Sequence, residues 1–337
     1  MKAQTIWLLI LLSAMMIAML ATPVARAMAF RIGMVDHPAP RKIHTRPIPL
    51  LGGAALYLAV LIALLVLEDR YNLPQLAGIL VGATAISFLG IWDDRWGLRP
   101  LIKLAGQIAV AGVVMATGVM VSLFPWPILN VLITLLWLVG ITNAFNLIDN
   151  MDGLSSGIGA VSAAFFLLLA ALNGQYLVGT LSAAVLGACI GFLRYNFNPA
   201  SIFMGDAGSL FLGFLMAVLG IKLRFPNNVA FVTWMVPVLV LGIPIFDTAL
   251  VIFSRLRRGL NPLTTPGKDH LSHRLVRAGM THREAVLTLY LAQAALGALA
   301  LFIAMAGTLE SYLIGTLVGG FALWALWCLE KPPFWEG

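Results

Sequence analysis

The sequence predicts an all-α polytopic membrane protein, and three observations lead to that prediction. Of its 337 residues, 61% are hydrophobic and only 10% are charged, whereas soluble domains carry about 25% charged residues. Apolar runs of about 20 residues, the length that crosses a bilayer as a helix, recur along the whole chain. No polar stretch between these runs is long enough for a separate soluble domain. We therefore expect a single integral membrane domain over residues 1–337.

We expect about eleven membrane spans in the chain. The first apolar run, Ile6 to Leu20, resembles a signal peptide. More spans follow it, and Arg26 and Arg31 would anchor its end on the cytoplasmic side, so we expect a retained first helix. The expected spans are 4–24, 50–67, 75–92, 101–120, 127–147, 154–173, 177–194, 208–222, 228–254, 285–305 and 310–329.

An odd number of spans places the two termini on opposite sides of the membrane. With the N-terminus outside, the cytoplasmic connections contain most of the 21 Lys and Arg residues, as the positive-inside rule requires. Most of the 14 acids also lie on or near that side, and Glu68, Asp69 and Glu310 are the exceptions. This one-sided distribution predicts a cytoplasmic C-terminus and an active site on the cytoplasmic face.

The first two cytoplasmic connections combine basic groups with carboxylates. The first carries Lys42 and His44 among prolines that favour an extended path. These side chains would either meet a phosphate or anchor the chain at lipid headgroups. The second connection carries Asp93 and Asp94 side by side at a helix end. Two adjacent carboxylates repel each other, so they need a nearby cation, either Mg²⁺ or a basic side chain such as Arg95.

The third and fourth connections are the richest in oxygen ligands. Asn143-Ala-Phe-Asn-Leu-Ile-Asp149 continues to Asp152 directly after an apolar run. A helix cap would explain one or two of these polar residues, but such a cluster at a membrane helix end indicates a function. In the fourth connection, Gly205-Asp-Ala-Gly-Ser209 starts a helix, whose amides favour an anion, and Asp206 favours a metal ion held with it. An ordinary N-cap role for Asp206 or Ser209 is the simpler alternative.

The last long connection is basic, and the span before it is interrupted. The connection contains His270, His273 and Arg274, with no cysteine or third histidine beside them. An anion-binding loop therefore fits better than a zinc site. Two prolines and a glycine in the preceding span predict a break, which would open a groove to the lipid. Asp247 in that span is either functional or a buried structural acid.

Taken in order, these five segments resemble the polyprenyl-phosphate N-acetylhexosamine-1-phosphate transferases, glycosyltransferase family 4, over residues 35–274. The motifs that carry the resemblance are Val35-Asp-x-Pro with Arg41-Lys-x-His44, Asp93-Asp94, Asn143-Ala-Phe-Asn-Leu-Ile-Asp149 with Met151-Asp-Gly-Leu154, Phe203-Met-Gly-Asp-Ala-Gly-Ser209, and His270-x-x-His-Arg274. The resemblance implies transfer of an N-acetylhexosamine 1-phosphate, with GlcNAc 1-phosphate favoured, from a UDP-sugar to undecaprenyl phosphate. UMP would leave, and the lipid-linked sugar would initiate cell-envelope polysaccharide synthesis at the inner membrane of a bacterium.

The resemblance also implies roles for individual residues. Asp206 matches a metal-binding aspartate and Asn146 an asparagine that shares the ion, which would be Mg²⁺ or, in its place, Mn²⁺. Asp93 matches a carboxylate proposed to act as base on the lipid phosphate, with Asp94 in support. The catalytic set implied in this way is Asp93, Asp94, Asp149 and Asp152. The residues expected around the substrates are Lys42, His44, Lys103, Asn143, Ser209, His270, His273 and Arg274.

Alternatives remain open within and outside the family. The branch that transfers phospho-MurNAc-pentapeptide usually has consecutive histidines in the last loop. The separated His270 and His273 favour the UDP-GlcNAc branch, although Ser272 departs from the His-x-His-His-Arg often seen there. A secondary transporter would also have intramembrane acids and a broken helix, but it predicts inverted repeats and polar groups at the bilayer midplane.

The expected mechanism is direct attack by the lipid phosphate, which is simpler than a covalent aspartyl-phosphate route. The expected partners are UDP-N-acetylhexosamine, undecaprenyl phosphate and the lipid bilayer. A homodimer is left open, and no nucleic acid is expected.

Overall fold

The computed structural model describes residues 3–38, 46–67, 73–225, 228–262, 265 and 267–334. These residues are helical almost throughout, with one short two-stranded ribbon, and this confirms the all-α prediction. In chain order the elements are α1 (Ala3–Ile32), β1 (Val35–Asp36), β2 (Ile48–Pro49), α2 (Gly52–Leu67), α3 (Leu73–Trp96), α4 (Pro100–Ala116), α5 (Pro127–Ile148), α6 (Leu154–Leu172), α7 (Tyr176–Asn196), α8 (Gly205–Lys222), α9 (Ala230–Val240), α10 (Gly242–Arg257), α11 (Leu271–Arg277), α12 (His282–Met305) and α13 (Thr308–Leu329).

Each predicted span corresponds to a helix or to a bent pair of helices. Eight helices in the described part of the chain are long and apolar enough to cross a membrane, and α9 with α10 forms a further candidate. Two shorter apolar helices, α2 and α4, correspond to the remaining predicted spans. The multi-pass helical architecture is therefore confirmed, whereas the count of eleven and the orientation stay predictions.

Helix α1 extends well beyond its predicted end at residue 24, to Ile32. Pro23 lies inside the helix and has no N–H to donate to the carbonyl of Met19. The hydroxyl of Tyr195 in α7 donates to that carbonyl oxygen instead, at 3.1 Å. Because a side chain from the neighbouring helix replaces the missing bond, the helix continues past the proline.

The chain divides into two compact units, Met1–Leu223 and Arg224–Gly337. In the first unit, α8 is the central helix, since every residue from Ala207 to Ile221 is buried. Helices α2, α3, α5, α6 and α7 pack around it. The single-domain prediction is neither confirmed nor contradicted by this division.

Backbone contacts fix the start of α8 beside the start of α2. The N–H groups of Gly52 and Gly53 donate to the carbonyl oxygens of Phe203 and Met204, at 3.0 and 2.8 Å. A Cβ atom on Gly53 would lie 2.2 Å from the backbone nitrogen of Gly208, so the approach requires glycine. The first turn of α8, which carries predicted site residues, is thus held by its neighbours.

In the second unit, the predicted break in the ninth span is present at Leu241, where α9 and α10 differ in direction by 81°. The buried side chain of Gln293 in α12 lies against this break. Its oxygen accepts from the N–H of Ile243 at 3.1 Å, and its nitrogen donates to the carbonyls of Val240 and Leu239 at 2.8 and 3.3 Å. Backbone groups freed inside a membrane need such partners. The lipid groove at this break stays a prediction.

Candidate active site

Four helices of the first unit bring the predicted polar side chains together. Asp93 and Asp94 lie in the last turn of α3, and Lys103 lies in the first turn of α4. Asn146 lies in the last turn of α5, and Asp206 in the first turn of α8. Hydrogen bonds and ion pairs join the side chains of Lys103, Asp93, Asn146 and Asp206. The Asp94 side chain accepts a hydrogen bond from the backbone N–H of Asp206. Residues from separate cytoplasmic connections of the predicted topology therefore form one cluster.

Lys103 lies at the centre of the cluster. Its ammonium nitrogen is 2.7 Å from Oδ2 of Asp206, 2.9 Å from Oδ2 of Asp93 and 3.1 Å from Oδ1 of Asn146. An ammonium group has three donors, so each proton has one of these oxygens as a partner. The Lys103 side chain is only 15% exposed, and salt screens such a pair much less than a surface pair.

The carboxamide of Asn146 links α5 to α8. Its nitrogen donates to Oδ1 of Asp206 at 2.6 Å and to the hydroxyl of Ser209 at 2.9 Å. The Ser209 hydroxyl donates to the carbonyl of Gly205 at 3.0 Å. The two predicted metal ligands, Asn146 and Asp206, are therefore neighbours. Ser209 is buried and contacts Asn146, and its predicted contact with a substrate stays a prediction.

Asp94 caps the start of α8. Its two carboxylate oxygens accept hydrogen bonds from the backbone N–H groups of Asp206 and Ala207, at 2.8 and 3.1 Å. A negative charge at a helix N-terminus is stabilising. Gly205 permits this contact, because its φ is +68° and a Cβ there would lie 2.6 Å from Asp94 Oδ2. The expectation that these amides face a substrate anion is corrected, since a carboxylate of the protein occupies them.

Asp93 also has partners for both of its oxygens. Oδ2 forms the ion pair with Lys103, and Oδ1 accepts from the N–H of Leu98 at 2.6 Å. The Leu98 contact lies in the turn between α3 and α4 and fixes the carboxylate from that side. For Asp93 to act as a base, it must accept a proton on an oxygen that already has a hydrogen-bond or ion-pair partner.

Asp149 differs from the other carboxylates of the site. It is the first residue after α5 and is partly exposed, and its side chain has no hydrogen-bond or ion-pair partner among the described residues. The carboxyl group itself is buried although the residue is partly exposed, and this burial raises the pKa of Asp149 to about 8; the negative charges of Asp206, Asp94 and Asp152 add to the effect. Near neutral pH this carboxyl is therefore largely protonated and can donate a hydrogen bond or a proton to an anion.

Asp152 and Asn143 form hydrogen bonds within the protein. Oδ2 of Asp152 accepts from Nδ2 of Asn198 at 3.0 Å and from the N–H of Ala200 at 2.9 Å, which anchors the loop between α7 and α8. The Asn143 nitrogen donates to Gln107 Oε1 at 2.5 Å, and the Gln107 nitrogen donates back to Asn143 Oδ1 at 3.2 Å. These contacts favour a structural role for both residues, and their predicted functional roles stay predictions.

The histidines of the last loop belong to the second unit, where Asp247 orients one of them. Oδ2 of Asp247 lies 2.8 Å from Nδ1 of His270, and its Oδ1 accepts from the N–H of Leu271 at 2.6 Å. The His270 ring is 6.3 Å from that of His273, between centroids. Burial lowers the pKa of His273 to about 4, with His270 and Lys268 adding to the effect, so His273 is neutral at pH 7.

Arg274 is fully buried in the second unit. Its guanidinium donates to the carbonyl of Asp269 at 2.8 Å, to the carbonyl of Leu329 at 2.5 Å and to the Glu330 carboxylate at 2.8 Å. The resemblance placed Arg274 near the diphosphate. The structure instead makes it a link between α11 and the end of α13, because it has no exposed surface. A direct substrate contact is therefore not supported in this conformation.

Lys42 and His44 lie outside the described residues, so their predicted contacts remain untested. The sequence pattern did not indicate Gln107, although it follows Lys103 by four positions, and this spacing places both residues on one helix face. Nor did it indicate Asn198 as a partner of Asp152. No local signal exists for that contact, since the two residues are far apart in the chain.

The donor set of the cluster is compatible with a magnesium ion that also binds substrate. Among the residues that the structure describes, no group of three or more His, Cys, Asp or Glu side chains has the arrangement of a metal site. A Mg²⁺ ion that binds substrate phosphates, however, usually keeps several waters and uses only one or two carboxylates. Asp206 supplies a carboxylate and Asn146 an amide oxygen, both within 3.1 Å of the Lys103 ammonium.

Comparison with known proteins gave consistent matches. Residues 76–224 match the model of glycosyl transferase family 4. The chain is 39% identical over 284 residues to a probable undecaprenyl-phosphate N-acetylglucosaminyl 1-phosphate transferase of Bacillus subtilis (strain 168), covering 81% of this chain and 78% of the relative. It is 35% identical over 316 residues to the decaprenyl-phosphate N-acetylglucosaminephosphotransferase of Mycolicibacterium smegmatis, covering 83% and 78%. It is 29% identical over 334 residues to the undecaprenyl-phosphate alpha-N-acetylglucosaminyl 1-phosphate transferase of Yersinia pestis, covering 91% and 89%.

Proposed function

Since the chain belongs to glycosyl transferase family 4, we propose that it transfers N-acetylglucosamine 1-phosphate from UDP-N-acetylglucosamine to undecaprenyl phosphate. The products are UMP and a polyprenyl diphosphate that carries the sugar. The reaction takes place at the cytoplasmic face of the bacterial inner membrane and starts the synthesis of a cell-envelope polysaccharide.

The cluster around Lys103 is the observation that supports this proposal most strongly. Both substrates are anionic phosphates, so the site must neutralise charge as it brings them together. Lys103 is a cation at the meeting point of four helices, and Asp93, Asp206 and Asn146 hold it there. A cation of this kind binds a diphosphate as a point charge.

Asp149, directly after the end of α5, supplies a hydrogen-bond donor to the same site. Its carboxyl group is largely protonated near neutral pH, as its raised pKa requires. A neutral carboxyl can donate a hydrogen bond to a phosphate oxygen, whereas a carboxylate would repel it. We propose that Asp149 in this form donates to the leaving UMP or to the diphosphate. The lipid phosphate is already largely ionised near neutral pH and attacks directly, so a covalent enzyme intermediate is not required.

The proposed metal ion is Mg²⁺, with Mn²⁺ as a substitute, bound by Asp206 and Asn146 together with substrate oxygens. When bound, a divalent ion neutralises diphosphate charge and stabilises the departing phosphate. Asn146 orients Asp206 for this role through the 2.6 Å hydrogen bond between them. Asp94 fixes the backbone of Asp206 from the other side.

Two alternative functions are less well supported. The phospho-MurNAc-pentapeptide transferase reaction has the same chemistry, but the similar proteins named above are N-acetylglucosamine 1-phosphate transferases. A secondary transporter would need a polar pathway through the bilayer, and the carboxylates here gather at helix ends.

The experiment is a transfer assay with the purified full-length protein in detergent. We expect radiolabelled UDP-N-acetylglucosamine, undecaprenyl phosphate and Mg²⁺ to give labelled lipid, and EDTA to abolish the labelling. UDP-MurNAc-pentapeptide should give none. If no UDP-N-acetylhexosamine labels the lipid, the proposed reaction is wrong; labelling from the MurNAc donor alone would favour the alternative branch.

A further inference from the structure

We propose that Lys103 competes with a divalent cation for the oxygens of Asp206 and Asn146, and that it moves onto the donor diphosphate when the cation takes its place. This inference rests on the proposed function, and it concerns the order in which metal and donor occupy the site. It starts from the position of the ammonium nitrogen, which is in contact with the same oxygens that are proposed to bind the ion.

The contacts of Lys103 leave no room for a second cation on these oxygens. The distances from its nitrogen to Asp206, Asp93 and Asn146 are 2.7, 2.9 and 3.1 Å. A Mg²⁺ ion requires its oxygen ligands at about 2.0–2.1 Å. An ion bound by the oxygens of Asp206 and Asn146 would compete with the ammonium group for them, and two cations at such short range repel each other strongly. Lys103 must therefore leave before the ion is fully ligated.

The charges of the cluster favour this exchange. Asp93 and Asp206 together carry two negative charges when ionised, and Lys103 balances one of them. A divalent cation bound at Asp206 competes for the carboxylates that contact the ammonium group, so Lys103 loses ion-pair partners in a partly buried place. The donor diphosphate carries a negative charge on each phosphate, so it provides the counter-charge that Lys103 then needs.

The geometry allows Lys103 to make this movement. Lys103 lies in the first turn of α4, and its four-carbon stem is flexible. The side chain of Asp206 is 31% exposed, which gives an ion access from the solvent side. Asp93 keeps its hydrogen bond from the Leu98 N–H when Lys103 leaves. Its Oδ2 then loses the ion pair with Lys103.

The exchange predicts coupled binding of metal and donor. Without donor, Lys103 competes with the ion and weakens its binding. With donor, Lys103 has a new partner and the competition ends, so each ligand increases the affinity for the other. If Lys103 only contacted the substrate, its removal would leave metal binding in the absence of donor unchanged.

The first test is a Mn²⁺ titration, followed by electron paramagnetic resonance, on the full-length protein after treatment with EDTA. We expect Lys103→Met to bind Mn²⁺ about tenfold more tightly than the wild type without nucleotide, because a competing charge is removed. UDP-N-acetylglucosamine should tighten Mn²⁺ binding strongly in the wild type and little in Lys103→Met. The matched control is Lys222→Met, because Lys222 contacts Gln75 and lies at the other end of α8; its Mn²⁺ affinity should equal that of the wild type.

A second measurement uses only the wild-type protein, in case Lys103→Met does not fold. An amine-acylating reagent and mass spectrometry report how accessible the Lys103 ammonium is. We expect Mg²⁺ alone to increase the modification of Lys103 severalfold over NaCl of equal ionic strength, and added UDP-N-acetylglucosamine to reverse the increase.

The exchange is refuted if Lys103→Met binds Mn²⁺ no more tightly than the wild type, if neither protein binds Mn²⁺, or if Mg²⁺ leaves the Lys103 modification unchanged. These results are separable from a failure of the proposed function. If the wild type labels no lipid but Lys103→Met binds Mn²⁺ more tightly, the exchange holds and the proposed reaction is wrong. If the wild type labels lipid but Lys103→Met binds Mn²⁺ no more tightly than the wild type, the proposed reaction holds and the exchange is wrong.

Discussion

Replacing Asp94 with alanine tests how the start of α8 is held. The carboxylate oxygens of Asp94 accept hydrogen bonds from the N–H groups of Asp206 and Ala207, at 2.8 and 3.1 Å. Without the carboxylate, these two amides lose their partners, and the first turn of α8 is held only by its remaining contacts, such as the one from Gly53 to Met204. Because Asp206 lies in that turn, both the stability of the protein and the geometry of the proposed metal site should suffer.

The expected magnitude follows from these two hydrogen bonds. A hydrogen bond to a charged group contributes about 1.5–3 kcal/mol, and water can replace part of this at the partly exposed helix start. We expect a net loss of about 3 kcal/mol, which corresponds to roughly 6–12 °C in the unfolding temperature of a unit of this size. If the loss appears fully in transition-state binding, kcat/KM falls about 100-fold, since 1.4 kcal/mol is tenfold.

The assays are thermal unfolding, lipid labelling and Mn²⁺ titration in the same detergent. Glu310→Ala is the matched control, because Glu310 is also an acid in the first turn of a helix, the exposed α13; its effect should stay below about 1 kcal/mol. Unchanged stability and activity in Asp94→Ala would refute the capping role. A loss of activity with unchanged unfolding temperature and Mn²⁺ affinity would show that Asp94 acts on the substrates directly.

Three further predictions concern single residues. Gln293→Leu should lower the unfolding temperature, because it leaves polar backbone groups at the α9–α10 break without partners, at about 1–3 kcal/mol for a buried group; an unchanged temperature would contradict this. For Asp149, whose pKa is raised to about 8, the folded state holds a proton that the unfolded chain releases near pH 4, so stability falls as pH rises from 4 to 8. Asp149→Asn, measured in EDTA, should remove this fall in stability between pH 4 and 8. If the unfolding temperatures of the variant and the wild type differ by the same amount at every pH, the raised pKa of Asp149 is refuted. Arg274→Met should destabilise by about 3 kcal/mol, because the buried Glu330 carboxylate loses its 2.8 Å partner and keeps only the longer ion pair with Arg257, at 3.5 Å; a well-folded variant with only a raised KM would restore the substrate role.

The helices could be predicted from the sequence because hydrophobicity acts locally. A run such as 127–147 is long and apolar enough to cross a membrane by itself, and α5 (Pro127–Ile148) agrees with it within a residue. The break near Leu241 was also predictable, since proline and glycine alter the backbone where they occur. The extension of α1 was not, because it depends on the Tyr195 hydroxyl, which replaces a bond that Pro23 cannot make.

The site was predictable as a set of residues but not as a set of contacts. Asn146 and Asp206 were expected together, and they are neighbours. That Asp94 caps α8 could not be read from the sequence, because the helix amides it meets belong to residues more than a hundred positions later. The same reason applies to Arg274, whose basic neighbours suggested an anion site. Its partner Glu330 comes from the far end of the chain.

The most direct test of the proposed reaction places the radiolabel on the β-phosphate of UDP-N-acetylglucosamine. Transfer of the sugar together with its phosphate moves this label into undecaprenyl diphosphate and releases unlabelled UMP. We predict that the label enters the lipid phase in equal amount to the sugar, and that Asp206→Asn abolishes both. Label that stays in aqueous UDP, or lipid that gains sugar without phosphate, would contradict the proposed reaction.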